Sequence, residues 1–249
     1  MLLVSLSACA DQPIVCHDFE VDPGWATEGQ WAFGSPTGAG SACGDPASGY
    51  TGTNVYGYNL AGDYANNLGP TYLTTDAIDC SGFTNVTLSF WRWLGMENDA
   101  FDEAAVEVSA DGTIWTEIWA HAGGAFCDGA WQPVSYNIAA LADNQATLQI
   151  RWRMGNTDAS VTYPGWNIDD LCLRGVPIDN LRIAPATAFA SSGFRGGPFN
   201  PSNATYTVRN LGSNNLSWLA APAAPWLGLS PGFGNLPAGA ETSVVFSLT

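Results

Sequence analysis

The residues with the most chemistry to offer are acidic. Asp18 and Glu20 lie on the first predicted strand, Asp63 lies in the loop after Asn59, and Asp169-Asp170 precede the last predicted strand of the first unit. First and last strands commonly lie side by side in an antiparallel jelly roll, so these five carboxylates could converge. Two or three carboxylates with backbone carbonyls form a hard-oxygen site, and calcium is the usual extracellular cation for one. The plain alternative is a set of turn acids and strand-end caps. A second set is aromatic and basic: Trp91-Arg92-Trp93 in one strand and Arg151-Trp152-Arg153 in another. If those strands are neighbours, one face carries indole beside guanidinium. Indole stacks on sugar faces and guanidinium holds carboxylates in bidentate fashion, which suits an acidic glycan. Core packing of the indoles under cation–π cover is the plain alternative.

A third set, Glu97-Asn-Asp99-Ala-Phe-Asp102-Glu103, offers the paired carboxylates that glycoside hydrolysis needs. Glu97–Asp99 and Asp99–Glu103 have same-face parity in a strand. Asn98, Ala100 and Phe101 nevertheless read as a loop before a strand at Ala105, which favours an edge loop, with a second cation as an option, over catalysis. His17 and His121 sit in no metal or triad motif, and no G-x-S-x-G elbow occurs. The glycines around Gly193-Phe-Arg-Gly-Gly neither follow a hydrophobic strand nor open a helix, so they form no phosphate loop.

Net charge narrows the partners. The chain carries −16 at pH 7, with all 7 of its basic Lys and Arg positions being Arg. That surface argues against nucleic acid and anionic membranes, which need Lys and Arg for phosphate. Absence of Lys removes Schiff-base chemistry and a Walker-type loop.

The elements that must position these groups are short strands. Only 12% of the 249 residues are charged, and Gly, Asn, Thr and Ser are plentiful. No long stretch has a helical period. Val86-Thr-Leu-Ser-Phe-Trp-Arg-Trp alternates, with Val86, Leu88 and Phe90 on one face. Leu148, Ile150, Trp152 and Met154 share a face against Gln149, Arg151 and Arg153. Ala105–Ser109 and a return strand from Thr113 flank Asp111-Gly112, a hairpin signal. Such half-buried alternation predicts an all-β fold: a two-sheet jelly-roll β-sandwich over residues 14–175. Residues 176–184 read as a linker. Residues 185–249 read as a smaller, incomplete immunoglobulin-like β-sandwich, ending within a predicted strand.

Residues 1–13 read as an export segment in which Leu6-Ser-Ala-Cys9 resembles a lipobox, making Cys9 a lipidation candidate. Export makes disulfides plausible. Cys16 opens the first strand and Cys172 sits in the last, the first pair to consider; Cys43–Cys127 is the second. The pairing stays open in the sequence, and with five cysteines after Cys9 at least one is unpaired.

The first unit resembles the MAM-like, lectin-type jelly-roll domains of secreted bacterial peptidases and other large surface proteins. The likeness is carried by Asp18-Phe-Glu20, Gly24-Trp25, Trp31–Gly38, Gly52–Tyr64, Ser89–Trp93, Val106–Gly112 and Gly165–Asp170. Many such domains carry a Cys before the last block, where this chain has Pro164. The resemblance implies a structural calcium at one end of the sandwich, with Glu20, Asp63 and Asp169 as ligands. The second unit resembles BACON-like and other immunoglobulin-like surface modules through Gly196–Ser202, Tyr206–Gly212, Ala224–Leu227 and Leu236–Gly239. Relatives usually continue with another hairpin. Neither resemblance implies catalysis.

The sequence therefore predicts a secreted or cell-surface, non-catalytic binding or attachment module. Its partner is an extracellular glycan or protein, calcium is its structural cofactor, and a lipid anchor is its only route to a membrane. A polysaccharide-degrading hydrolase using the acids around Glu97–Glu103 is one alternative, and a self-associating surface protein is another.

Overall fold

Period-two alternation of apolar residues builds both units of this chain. The computed structural model describes residues 11–178, 180–212, 215–222 and 224–248. One unit spans Asp11–Val176, and the second begins at Pro177. The first unit contains β1 (Gln12–His17), β2 (Ala26–Thr27), β3 (Trp31–Gly34), β4 (Val55–Tyr58), β5 (Thr71–Thr74), β6 (Phe83–Met96) and β7 (Ala104–Ser109). It continues with β8 (Thr116–Ala120), β9 (Phe126–Cys127), β10 (Gln132–Asn137), a single helical turn α1 (Ala139–Ala142), β11 (Gln149–Met154) and β12 (Gly165–Pro177).

These strands form two sheets. Sheet A runs β10-β6-β12-β4-β3, with β1 also on β12 and β9 on β6; sheet B runs β2-β5-β11-β7-β8. First and last strands are neighbours, Cys16 lying opposite Cys172. The inner faces supply the core. Val86, Leu88, Phe90, Leu94 and Met96 point in from β6, and Ile150, Trp152 and Met154 from β11. Trp152 packs between Trp25 (centroids 5.8 Å apart) and Phe90 (5.4 Å, edge-on). Each such side chain removed from water contributes about 1.5–3 kcal/mol.

The hairpin after β7 differs from expectation. Its return strand starts at Thr116 rather than Thr113, because the Asp111 carboxylate accepts the N–H groups of both Thr113 and Ile114 at 2.8 Å. Those donors are thereby satisfied without a strand partner. Disulfides join Cys16 to Cys172 and Cys43 to Cys127. Cys80 is free and buried, and burial pushes its thiol up to about 11.

The second unit holds β13 (Leu181–Ala184), β14 (Ser192–Gly193), β15 (Phe199–Asn200), β16 (Asn203–Asn210), β17 (Leu216–Leu219), β18 (Leu227–Ser230), β19 (Phe233–Leu236) and β20 (Glu241–Leu248). It is a small immunoglobulin-like β-sandwich: a sheet ordered β13-β16-β20-β18 and two ribbons, β14-β15 and β17-β19. Tyr206, Val208, Trp218, Leu236, Val244 and Phe246 make its core. The expected linker at 176–184 is shorter than read, because Leu181–Ala184 pairs with β16 as a strand of this unit. Alternation of Leu181 and Ile183 toward the core draws those residues into the sheet. Among the described residues, no helix is long and apolar enough to cross a membrane.

Candidate functional site

The outer face of sheet A carries an aromatic ledge. Along β6 the inward residues are buried, and the alternate ones, Ser89, Trp91 and Trp93, are only half-buried. Tyr50, from the loop before β4, stacks on Trp91 with centroids 3.5 Å apart and planes 13° from parallel. Trp131, just before β10, meets Trp93 edge-on at 6.0 Å. The Trp93 indole donates to the Gly44 carbonyl at 3.0 Å. Cys43 beside Gly44 is bonded to Cys127, so the disulfide ties the loop under the ledge to β9. Pro133 lies opposite Trp91 in the neighbouring strand.

Arg92 does not belong to this ledge. Strand parity turns it inward, where its Nε and Nη2 donate to both carboxylate oxygens of Asp128 at 2.9 and 3.1 Å. Its guanidinium carbon lies 5.0 and 4.7 Å from the ring centres of Trp119 and Phe126. Asp128 also accepts the Leu94 N–H at 2.9 Å. This is a buried, fully partnered ion pair.

Arg151 and Arg153 lie elsewhere as well. Their strand, β11, belongs to sheet B while β6 belongs to sheet A, so indole and guanidinium do not share one surface. Arg151 donates to Glu107 at 2.5 Å and sits between the rings of Tyr72 (3.9 Å) and Trp115 (4.0 Å). Arg153 faces Glu107, Glu103 and Glu117 at 3.6, 3.7 and 3.2 Å. Strands β7 and β8 of the same sheet, with Glu103 just before β7, supply carboxylates for both guanidinium groups, a pairing across strands that periodicity within one strand does not reveal.

The acidic end is built around the loop Gly49–Asn54. Glu20 Oε1 accepts the N–H groups of Thr53 and Asn54 at 2.7 and 3.0 Å. Asp169 Oδ2 accepts from Thr51 N at 3.1 Å, and Asp170 Oδ1 from the Thr51 hydroxyl at 2.8 Å. Asp169 is fully buried. Burial pushes its carboxyl up to about 6; the Asp170 charge adds to that push, and N–H groups of Asp170, Thr51 and Tyr50 oppose it. A Cβ on Gly49 would collide with the Thr51 carbonyl oxygen and lie 2.7 Å from Asp169 Oδ2 and 3.1 Å from the Asn54 carbonyl oxygen. Three oxygens from three residues thus crowd one point that only glycine leaves open. Gly52, at φ +58°, would likewise drive a side chain into the Glu20 carboxylate. Carboxylates with loop carbonyls are the donor set that suits calcium.

Two members of the expected acidic set make their bonds outside that loop. Asp63 accepts from the N–H and hydroxyl of Ser41 and from the Thr162 hydroxyl. Asp18 accepts the Glu20 N–H at 3.2 Å, a local turn contact. The loop residues Gly49, Thr51 and Asn54 were not singled out by sequence; the Gly/Thr/Asn-rich run Ser48–Asn54 was the available signal. Tyr50 and Trp131 were missed for a related reason, because both stand on loops outside any alternating run.

Glu97, Asp102 and Asp158 form another cluster, with one carboxylate oxygen from each within 4.8 Å of the others. Asp102 is fully buried and accepts from the Tyr64 hydroxyl and, at 3.0 Å, from Asp158 N. Burial and the charges of Asp102 and Asp158 raise the Glu97 carboxyl. Residues 98–102 form a turn, with Phe101 N and Asp102 N both donating to the Asn98 carbonyl. Same-face parity therefore does not apply to Asp99–Glu103, and Glu103 faces Arg153. Cys9, the lipidation candidate, lies outside the described residues.

No family model matches this chain. Bacillopeptidase F of Bacillus subtilis is 29% identical over 163 residues, covering 63% of this chain and 10% of that protein; the chain spans about a tenth of that relative's length. Among solved structures, a cleaved adhesin domain of Lys-gingipain from Porphyromonas gingivalis is similar at TM-score 0.37 and 16% identity, covering 65% of this chain and 98% of that one. A xylan-binding domain from Paenibacillus barcinonensis is similar at TM-score 0.41 and 16% identity, covering 69% and 99%. Adhesion and xylan binding are properties of those proteins.

Proposed function

We propose that this chain is a non-catalytic, extracellular binding module whose first domain holds a polysaccharide on the Tyr50–Trp91–Trp93–Trp131 ledge. One observation carries the reading: four aromatic side chains gather on the outer face of a sheet whose core is already filled from the other face. Rings placed there stack on the flat faces of sugars. The ledge also sharpens the ligand class. Arg92 is buried against Asp128, and Arg151 and Arg153 are paired on the other sheet. Arg174, on β12 of sheet A, is likewise paired, with Asp11; with these four guanidinium groups engaged by carboxylates and a net charge of −16, an uncharged polysaccharide fits better than an acidic one.

A structural calcium at Glu20, Asp169 and Asp170, with the Thr51 and Asn54 carbonyls, belongs to the same proposal. It would add stability by linkage, since only the folded chain gathers those ligands. The finer readings of the first domain as MAM-like and the second as BACON-like are part of it too. So is a place outside the cytoplasm, which the two disulfides support. Partial likeness to a peptidase, spanning a tenth of its length, fits an accessory module beside an enzyme.

The test is depletion of the soluble protein by insoluble neutral and acidic polysaccharides in calcium buffer. Retention on a neutral class, lost in Trp93→Ala without a large fall in melting temperature, is the expected result. Release of new reducing ends would instead favour a hydrolase. No retention on any polysaccharide would sink the glycan reading. For calcium, chelator is expected to lower the melting temperature, and an unchanged melt removes the ion from the proposal.

A further inference from the structure

A groove of about 350 Å³ opens on the first unit between β1 and residues 76–79, and none of the four ledge residues lines it. Ile14 and Val15 line it from β1 and Ile78 from the other segment, so its walls are largely apolar. Trp25 lines it too but is buried, lying flat against Tyr56 and Trp152, and offers no open ring face to a sugar. A volume near the bottom of the range for ligand pockets, roughly 300–1,000 Å³, suits one or two side chains. The charged groups of the groove are acidic. Asp76 and Asp79 line it and are exposed. The Ser81 hydroxyl and N–H, the latter at 2.8 Å, hold the Asp79 carboxyl below its usual range. Asp76 has neither a hydrogen-bond nor an ion-pair partner among the described residues. Burial lowers the His17 imidazole against the opposing pull of Asp18, so at pH 7 the lining residues supply no positive charge to the two carboxylates.

The second unit presents the complementary groups. Its β14–β15 ribbon ends in the turn Phe194-Arg195-Gly196-Gly197, closed by a hydrogen bond from Gly197 N to the Phe194 carbonyl at 2.9 Å. Gly196, at φ +91°, allows that turn and leaves Arg195 at its tip. Phe194 is 83% exposed. Arg195 is exposed as well and has no carboxylate partner among the described residues. A large ring held in water beside an unpaired guanidinium is what a docking contact buries and pairs. The two units also differ in charge. Of the 23 acidic residues, all but Asp179 and Glu241 precede Pro177, while Arg182, Arg195 and Arg209 follow it.

We propose that the Phe194–Arg195 tip of one copy docks in the groove between β1 and Asp76–Asp79 of another copy, so that the protein assembles head to tail. The ring covers Ile14, Val15 and Ile78, and the guanidinium takes Asp76 and Asp79 as its carboxylate partners. Tip and groove are different surfaces, so the contact is heterologous: each copy added leaves one free tip and one free groove, and the assembly stays open. The inference goes beyond glycan binding and does not depend on it, since no ledge residue takes part.

The test is light scattering and sedimentation of the full chain across a range of concentrations. Average mass should rise with concentration in low salt. Association should weaken about tenfold in about 1 M salt, where the screening length falls to about 3 Å. Two variants at exposed positions separate the surfaces: Phe194→Ser/Arg195→Ser removes the tip, and Asp76→Arg reverses a charge of the groove. Each should weaken self-association by about tenfold or more with the melting temperature unchanged. Mixed in equal amounts, the two variants should form pairs and stop there. The pair joins the intact tip of the Asp76→Arg variant to the intact groove of the other, and its remaining tip and groove are both disabled. A strict monomer at about 1 mM overturns the proposal. So does association that is insensitive to salt or survives either variant, and so does a mixture that stays monomeric.

Discussion

Trp91-Arg92-Trp93 on β6 and Arg151-Trp152-Arg153 on β11 are inverse patterns of the same residue types, and the two strands use them in opposite ways. On β6 the odd residue faces in, so the arginine is buried and must find a carboxylate, Asp128, inside the sandwich. The two indoles then face out and are only half-buried. On β11 the odd residue is Trp152, which fills the centre of the core. The two arginines face out onto Glu107, Glu103 and Glu117 and onto the rings of Tyr72 and Trp115. One outer face is therefore satisfied by its own side chains and the other presents aromatic rings to solvent. Composition does not distinguish the two faces. Parity and cross-strand partners do, and binding is argued only where a face is left unsatisfied.

Breaking the buried member on β6 should have the largest effect. Arg92→Ala leaves Asp128 charged and unpaired inside, and a loss of about 3–5 kcal/mol is expected in urea denaturation. A loss under about 1 kcal/mol would mean that the pair is not desolvated. On the opposite sheet, Arg151→Ala removes two ring contacts and one charge partner, for which about 2 kcal/mol is expected. Polysaccharide retention should not change in that variant, and a fall in retention would show that both faces bind. Trp93→Ala sharpens the contrast from the other side. Its retention should weaken about tenfold, roughly 1.4 kcal/mol, with a smaller change in stability.

The smallest effect lies in the hairpin of sheet B. Hydrogen bonds from the N–H groups of Ile114 and Thr113 lower the Asp111 carboxyl to about 2. Its folded value is below the unfolded one, so its stabilisation is present above about pH 4 and is lost as pH falls toward 2. Asp111→Ala should lower the melting temperature at pH 7 and lower it clearly less near pH 2. An equal drop at both values would mean that the charged turn contributes nothing.

Much of the fold was legible because burial has a period. The buried faces of β6 and β11 were readable from Val86-Leu88-Phe90 and Leu148-Ile150-Trp152-Met154, and they are buried as the alternation requires. Cys16 and Cys172 were readable as first-strand and last-strand residues, and they lie opposite one another. The acidic end was legible in Glu20, Asp169 and Asp170, but the loop they hold was not. Its contribution is backbone N–H and carbonyl groups, which carry no residue-type signal, and Gly49 marks it only by what it lacks.

The sequence by itself determined the all-β class, the inward faces of the long strands and the acidic surface, because each follows from periodicity or composition along one chain. Tertiary structure alone decided which strands share a sheet. It thereby separated the tryptophans of β6 from the arginines of β11, matched Arg92, Arg151 and Arg153 with carboxylates from distant segments, and set Tyr50 on Trp91. Contacts of that kind depend on distances between residues far apart in the chain, and local pattern does not encode those distances.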